Sequence, residues 1–225
     1  MTRTVEMATF VLIHGAGDVG WYWHLVQREL VQRGHDVVVM DLPIEDEKAT
    51  LSDHADVVLD AIGDRRNLVV VGQSAAGYVA PIVCDRVRAR LLVLIAAMIP
   101  VPGEAANEML ENTRFSDAER PVLDDSSDLA VYYHDVTPAL AREALARGRT
   151  DSGATAEAPF PLAAWPDVPT RFIVCRNDRL FPAGWLRGVV RDRLGIEPDE
   201  LESGHTPALS HPIELTDLLE SYLAV

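Results

Sequence analysis

The stretch Asn67–Tyr78, Asn-Leu-Val-Val-Val-Gly-Gln-Ser-Ala-Ala-Gly-Tyr, constrains the fold of this chain more than any other. Its apolar run Leu68–Val71 is typical of a strand buried on both faces, as strands of a parallel sheet are. The run ends at Gly72, and a helix-compatible segment begins two or three residues later. Ser74 therefore falls in a tight turn that strains its backbone and requires small neighbours, such as Gly72 and Ala76. We predict that this turn holds the Ser74 hydroxyl clear of the backbone, at the N-terminal end of a helix.

This pattern has two interpretations when it is taken alone. The usual form is Gly-x-Ser-x-Gly, whereas here Ala76 occupies the fifth position and Gly77 follows one place later. An ordinary Gly/Ser turn between a core strand and a helix would have the same sequence. The remainder of the chain has to decide whether Ser74 is a nucleophile.

Strands and helices alternate along the first half of the chain and again near its end. Apolar runs of strand length predict strands at residues 9–14, 36–40, 68–71, 91–96, 170–175 and 197–201. Helical periodicity predicts helices at about 20–33, from a cap at Ser52, after Ser74, and at about 181–194 and 212–223. Alternation with short connections implies right-handed crossovers. The predicted fold class is α/β, with a mostly parallel sheet and helices on both faces.

The alternation breaks between about residues 101 and 166. This segment is rich in Ala, Glu, Asp and Arg, and helices are predicted near Ala105–Asn112 and Pro138–Arg147. An insertion of this length with helices of its own is most economically a lid over the edge of the sheet. We expect residues 1–225 to form a single domain, with the lid inserted before the last two strands.

Composition narrows the classes of function. The net charge is −15, from 20 basic and 35 acidic residues, which argues against a nucleic acid or an anionic membrane as partner. A hydrophobic fraction of 48% indicates a globular protein with a buried core. A small molecule is therefore the expected partner, and a homodimer is left open.

The remaining sequence features predict no metal site, cofactor or membrane span. Cys84 and Cys175 lie in apolar patterns and are expected to be reduced core residues, and no metal-ligand spacing is present. Neither a metal nor an organic cofactor is expected. No apolar run is long enough for a signal region or a membrane span, so a cytoplasmic location is the default expectation.

Three loops follow the C-terminal ends of predicted strands, the edge at which open parallel sheets bind ligands. In His14–Gly17, glycines let the backbone approach a reacting centre and donate to an oxyanion, together with the amide of Ala75. Asp178 in the second loop could orient an imidazole, and His205 in the third sits in no apolar periodicity. The plainer interpretations are a Gly-rich turn for the first loop, an Asp that bonds its own backbone for the second, and a satisfied core histidine for the third. Together with Ser74, however, they give the chain order serine, aspartate, histidine.

These stretches resemble the α/β-hydrolase superfamily, and within it the branch of plant methyl-salicylate esterases, polyneuridine-aldehyde-type esterases and hydroxynitrile lyases. The matching stretches are Phe10–Gly17 with Trp21 and Trp23, Asp41–Pro43, Gly72–Gly77, Asn177–Asp178 and Gly204–Pro212. The resemblance implies a six-stranded core without the superfamily's first two strands. It implies Ser74 as nucleophile, His205 as general acid/base and Asp178 as its orienter. It also implies the amides of Ala16 and Ala75 as the oxyanion hole.

Departures from this branch bear on the chemistry. Its hydroxynitrile lyases have a lysine directly after the catalytic histidine and a threonine in the oxyanion loop, whereas this chain has Thr206 and Gly15. Without that lysine no group is expected to stabilise a cyanide leaving group. A serine at the elbow, in place of an aspartate, argues against haloalkane dehalogenase or epoxide hydrolase chemistry.

The sequence thus predicts a carboxylesterase-type serine hydrolase for small esters, acting through an acyl-enzyme intermediate. The alternatives are another reaction on the same triad, namely a lactonase, amidase, C–C hydrolase or perhydrolase, or a receptor-like binder with slow turnover. The substrate pocket should lie between sheet and lid. Its apolar candidates, which could equally be lid–core packing, are Met98, Leu180, Phe181, Tyr132 and Tyr133.

Overall fold

A six-stranded sheet forms the centre of the computed structural model, which describes residues 6–123, 125 and 127–224. The strands are β1 (Thr9–Ile13), β2 (Asp36–Val39), β3 (Leu68–Gln73), β4 (Ala89–Ile95), β5 (Thr170–Cys175) and β6 (Asp199–Leu201). Their order is β2-β1-β3-β4-β5-β6, and every neighbouring pair is parallel. The predicted α/β fold is confirmed, and the sheet is fully parallel.

Helices connect and flank these strands. They are α1 (His24–Gln32), α2 (Leu51–Ile62), α3 (Ala80–Arg86), α4 (Ala106–Asn112), α5 (Asp128–Tyr132), α6 (Pro138–Arg147), α7 (Ala183–Leu194), α8 (Pro207–Ser210) and α9 (Pro212–Ser221). Short 3-10 turns lie at Gly20–Trp23, Ser74–Tyr78, Phe115–Asp117, Ala154–Ala156 and Tyr222–Ala224. In the part of the chain that the structure describes, no helix is both long and apolar enough to cross a membrane.

Local chemistry moves three predicted boundaries. The cap of α2 is Thr50, not Ser52: the Thr50 hydroxyl accepts from the Asp53 amide, and the Asp53 carboxylate accepts from the Thr50 amide. The helix predicted from Gly20 begins as a 3-10 turn. The last strand begins at Asp199, after Pro198, because a proline has no amide to donate to a neighbouring strand.

The core is divided between the two faces of the sheet, as the alternation of side chains along β3 shows. Leu68 and Val70 pack on the face that α2, α3 and α7 cover, whereas Val69 and Val71 pack on the face that α1 and α9 cover. All six residues of β3 are buried. Burial on both faces explains why the sequence shows an unbroken apolar run here.

The segment between β4 and β5 carries α4, α5 and α6 and is bonded to other parts of the chain at two places. Glu104, 4% exposed, forms an ion pair with Arg193 of α7 and accepts a hydrogen bond from Asn112 at 2.8 Å. The Arg149 amide donates to the Gly17 carbonyl at 2.9 Å. These contacts hold the segment against α7 and against the loop that follows β1.

Candidate active site

The backbone of Ser74 is strained as the sequence predicts. Its φ is +54°, a left-handed value that is unusual for a residue with a side chain. Ser74 follows β3 directly and begins the 3-10 turn Ser74–Tyr78. The α-helix proper, α3, starts only at Ala80, where Pro81 occupies the first turn and needs no intrahelical acceptor. Ser74 therefore stands at the N-terminal end of a helix, as the sequence predicts, but the first turn of that helix is of the 3-10 type.

The glycines around Ser74 are required by the close approach of two backbones. A Cβ placed on Gly77 would overlap the carbonyl oxygen of Met98, and one placed on Gly72 would lie 2.9 Å from the Cβ of Ala80. Ala76, in contrast, fits with its side chain in the core. The methyl group that departs from the usual elbow pattern thus points into space that accepts it, and the position that must be glycine is the next one.

Ser74, His205 and Asp178 form a continuous chain of hydrogen bonds. His205 Nε2 lies 3.0 Å from Ser74 Oγ, and His205 Nδ1 lies 2.8 Å from Asp178 Oδ2. The other carboxylate oxygen, Oδ1, accepts the amides of Leu180 at 2.8 Å and Phe181 at 3.0 Å. Because Asp178 can only accept when ionised, Nδ1 carries the proton and Nε2 is left to accept the serine hydroxyl. The arrangement can therefore remove a proton from Ser74.

Two residues that the sequence analysis did not single out hold the histidine loop. The side-chain amide of Gln73 donates to the His205 carbonyl at 3.0 Å, and Asp135 Oδ2 accepts the Gly204 amide at 2.6 Å. Gln73 could have been recognised, since a glutamine at the buried end of an apolar strand needs a partner. Asp135 lies far from the motifs in sequence, and no local pattern marks it.

The loop after β1 presents an unpaired amide beside Ser74. In the described part of the chain the Ala16 amide has no hydrogen-bond acceptor, and Ala16 and Ala75 line the same cavity as Ser74. His14 shapes this loop, because its Nε2 accepts the Leu42 amide at 3.0 Å and its Nδ1 donates to the Gly15 carbonyl at 2.8 Å. Burial lowers the pKa of His14 to about 4, which keeps the ring neutral at ordinary pH.

At both positions where this chain departs from hydroxynitrile lyases, Gly15 and Thr206, neighbouring groups fit the residue that is present. A Cβ on Gly15 would lie 2.6 Å from Oε1 of Gln73, so a threonine there would have to displace that side chain. The Thr206 hydroxyl donates to the Tyr132 carbonyl at 2.7 Å and is buried. The structure thus brings no ammonium group to Ser74 from either position.

A cavity of about 760 Å³ lies against Ser74 and His205, and it is large enough for a drug-sized ligand. The five candidate pocket residues all line it: Met98, Leu180, Phe181, Tyr132 and Tyr133. The rings of Phe181 and Tyr132 meet the His205 ring edge-on, with centroids 5.5 and 5.6 Å away. Polar lining residues that sequence reasoning missed include Asp18, His54, Asn107 and Asp151. Among the described residues, no group of three or more His, Cys, Asp or Glu side chains could hold a metal ion.

An elbow serine bonded to a histidine–aspartate pair at this edge of a parallel sheet defines a class of proteins, the α/β hydrolases. The model of the alpha/beta hydrolase family matches residues 10–218, and the chain belongs to this family. The resemblance inferred from the sequence is confirmed.

Relatives and solved structures agree with this assignment. Norfluorocurarine synthase 2 of Strychnos sp is 25% identical over 259 residues, which cover 97% of this chain and 96% of that protein. The carbendazim hydrolyzing esterase of Nocardioides sp. is 31% identical over 115 residues, 46% of this chain and 48% of that protein. The crystal structure of polyneuridine aldehyde esterase matches with a TM-score of 0.81 over 96% of this chain and 99% of its own, at 18% identity.

Proposed function

We propose that this chain hydrolyses small carboxylic esters with Ser74 as nucleophile, His205 as general acid/base and Asp178 as the residue that orients His205. One observation carries the proposal: the unbroken Asp178–His205–Ser74 hydrogen-bond chain ends at the cavity. The name of the carbendazim hydrolyzing esterase, a relative over 46% of the chain, supports ester-type chemistry.

The reaction follows from the direction of each hydrogen bond. His205 Nε2 takes the Ser74 proton as Oγ attacks the ester carbonyl, and the amides of Ala16 and Ala75 bind the tetrahedral oxyanion. His205 returns the proton to the departing alcohol, which leaves an acyl group on Ser74. Water activated by the same imidazole then releases the acid. Asp178 holds the ring and stabilises its charged form.

The segment between β4 and β5 acts as a lid in this proposal, on the single domain formed by the chain. It supplies Met98, Tyr132 and Tyr133 to the cavity wall. A covered site excludes water from the oxyanion, which strengthens the two amide hydrogen bonds. The substrate is a small molecule that fits this cavity.

The direct test is Ser74→Ala, assayed with p-nitrophenyl acetate and butyrate. We expect kcat to fall roughly 10⁴–10⁶-fold with an unchanged thermal unfolding midpoint, because the nucleophile is lost and the fold is kept. Ser221→Ala, which removes an exposed hydroxyl on α9, is the matched control and should retain wild-type kcat. Near-normal turnover by Ser74→Ala would reject the assignment.

Other classes of substrate would react through the same kind of acyl-enzyme intermediate, and comparing their rates distinguishes between them. Lactones and amides differ in the leaving group, and a perhydrolase differs in using peroxide in place of water. Parallel assays of an ester, a lactone, an amide and peroxide-dependent oxidation should show the highest kcat/KM for the ester. A burst followed by stalled deacylation would instead identify a receptor-like binder.

A further inference from the structure

Asp18 is a charged residue of the oxyanion loop for which the mechanism above has no use. It lines the cavity together with Ser74 and His205, and its side chain is half-buried. Its Oδ1 accepts the amide of the next residue, Val19, at 3.1 Å. Within residues 6–123, 125 and 127–224, no arginine, lysine or histidine forms an ion pair with it. A carboxylate in this position is left without a fixed counter-ion.

The groups that face Asp18 do not supply one. Tyr22, Tyr133 and His205 are close enough to interact electrostatically with it, and the tyrosines are neutral because burial raises the pKa of each phenol. Burial also raises the pKa of Asp18 to about 6, against the opposing effects of the Val19 amide and of His205.

Arg149 also lines the cavity, but its guanidinium is bonded to groups other than Asp18. Its backbone amide donates to the Gly17 carbonyl, but its guanidinium donates to the Leu42 carbonyl at 2.8 Å and lies against Glu45. It is absent from the groups that shift the pKa of Asp18. The free negative charge therefore faces the cavity.

Apart from Arg149, the charged and aromatic groups of the cavity wall suit a positive ligand. Asp128 and Asp151 also line it. The rings of Tyr132 and Tyr133, with centroids 6.4 Å apart, stand on the lid side of the same space. Carboxylates combined with aromatic rings are the groups that bind ammonium ions, through charge and through the negative ring faces. The net charge of −15 attracts cations from solution.

We propose that Asp18 is a specificity-determining residue that selects esters carrying an ammonium group, with the carboxylate as counter-ion and the lid tyrosines beside it. This inference rests on the proposed ester hydrolysis and names its substrate class. The ester must carry a basic or quaternary nitrogen, in its alcohol or its acyl part, that reaches Asp18 while the carbonyl oxygen binds the amides of Ala16 and Ala75.

The test compares two esters of one shape. Acetylcholine and 3,3-dimethylbutyl acetate differ in that a quaternary nitrogen replaces a quaternary carbon. We expect kcat/KM to favour acetylcholine by roughly tenfold in the wild type, the ratio that about 1.4 kcal/mol of charge recognition gives. Asp18→Asn should bring the ratio close to unity, because kcat/KM falls more for acetylcholine than for the neutral ester. Asp60→Asn, an exposed residue of α2, is the matched control for net charge and should keep the wild-type ratio.

The wild-type protein provides a second readout that needs no variant. The ratio should fall as the pH is lowered through about 6, because Asp18 then loses its charge. The enzyme form with a charged His205 hydrolyses neither ester. Protonation of His205 therefore lowers both kcat/KM values by the same factor and leaves their ratio unchanged. In Asp18→Asn the ratio should be flat with pH. A wild-type ratio near unity at all pH values, or the same ratio in Asp18→Asn, would overturn the inference.

A binding measurement separates this inference from the proposed function. On Ser74→Ala, calorimetry should show choline binding about tenfold more tightly than 3,3-dimethylbutanol, with the difference lost in Ser74→Ala/Asp18→Asn. If neither ester is hydrolysed but choline is preferred, ester hydrolysis fails and the role of Asp18 stands. If the esters are hydrolysed without any preference in rate or binding, ester hydrolysis stands and the role of Asp18 fails.

Discussion

At the scale of single residues, the position of a carboxylate decides its role. Asp178, Glu104 and Asp192 all follow or flank the later strands, and all three could be considered as partners of a catalytic histidine. Glu104 is paired with Arg193 and bonded to Asn112, and Asp192 is exposed on α7. Asp178 has one oxygen on the imidazole and the other on two amides, which prevents the carboxylate from rotating.

Asp178→Asn should lower kcat by on the order of 10⁴, as loss of the correct imidazole tautomer does in other serine hydrolases. The Asn oxygen would keep the Leu180 and Phe181 amides, so its NH2 group would face Nδ1, and Nε2 would carry the ring proton and could not accept the proton of Ser74. Steady-state kinetics with a p-nitrophenyl ester measure the loss. Asp192→Asn on the exposed face of α7 should have no effect. Loss of activity in Asp192→Asn but not in Asp178→Asn would contradict the assignment.

At the scale of one element, the conformation of the turn between β3 and α3 depends on how closely its backbone approaches the backbone that follows β4. The turn after β3 packs against the chain that leaves β4, and the Met98 amide donates to the Ser74 carbonyl at 3.1 Å. Gly77 lies directly against the Met98 carbonyl. The strained φ of Ser74 persists because these contacts leave the turn no room to relax.

Gly77→Ala should therefore destabilise the protein by at least about 2 kcal/mol, since the new methyl group has to displace backbone atoms. It should also lower kcat, because the displacement moves Ser74. Urea unfolding and ester kinetics measure the two effects. Gly188→Ala in the middle of α7 is the control: no atom lies within 4 Å of the added Cβ. That change should raise the free energy of unfolding by about 0.5–1 kcal/mol, through helix propensity. Equal effects of the two substitutions would contradict the packing argument.

At the scale of the whole molecule, the parallel sheet assembles the site from distant parts of the chain. Ser74 and His205 are 131 residues apart and meet because β3 and β6 end at the same edge. His14 contributes from β1 as a buried neutral ring with both nitrogens bonded. A ring that must stay neutral in the folded state makes the stability of the whole protein depend on pH.

The pKa of His14 falls from its ordinary value of 6.5 to about 4 on folding, so the unfolded chain takes up a proton first on acidification. Stability should therefore fall as the pH is lowered through this window, by about 3 kcal/mol from this residue. Asp18, whose pKa is raised, acts in the opposite direction. Comparison of wild type with His14→Gln, in urea at several pH values, cancels that contribution and should show a flatter profile for the variant. The NMR signal of His14 should not titrate near pH 6.5; a midpoint there would contradict the prediction.

Much of the fold could be predicted because strands buried on both faces leave unbroken apolar runs, as at Leu68–Val71. Boundaries shifted where side-chain chemistry intervened: Pro198 shortened β6, and Thr50 with Asp53 moved the start of α2. Ser74, Asp178 and His205 were recognised because each follows a strand in a polar or glycine-rich loop. Whether they catalyse ester hydrolysis is the proposal that Ser74→Ala tests.

The sequence by itself determined the α/β class, the order of the candidate catalytic residues and the small side chains around Ser74, because these depend on local periodicity and turn chemistry. The tertiary structure alone decided that Gly77 and not residue 76 must lack a side chain, that Asp135 and Gln73 hold the histidine loop, and that Asp18 faces the cavity without a counter-ion. The physical reason is that these properties depend on which groups meet through space. A carboxylate in a sequence is the same residue whether an arginine neutralises it or a cavity leaves it free.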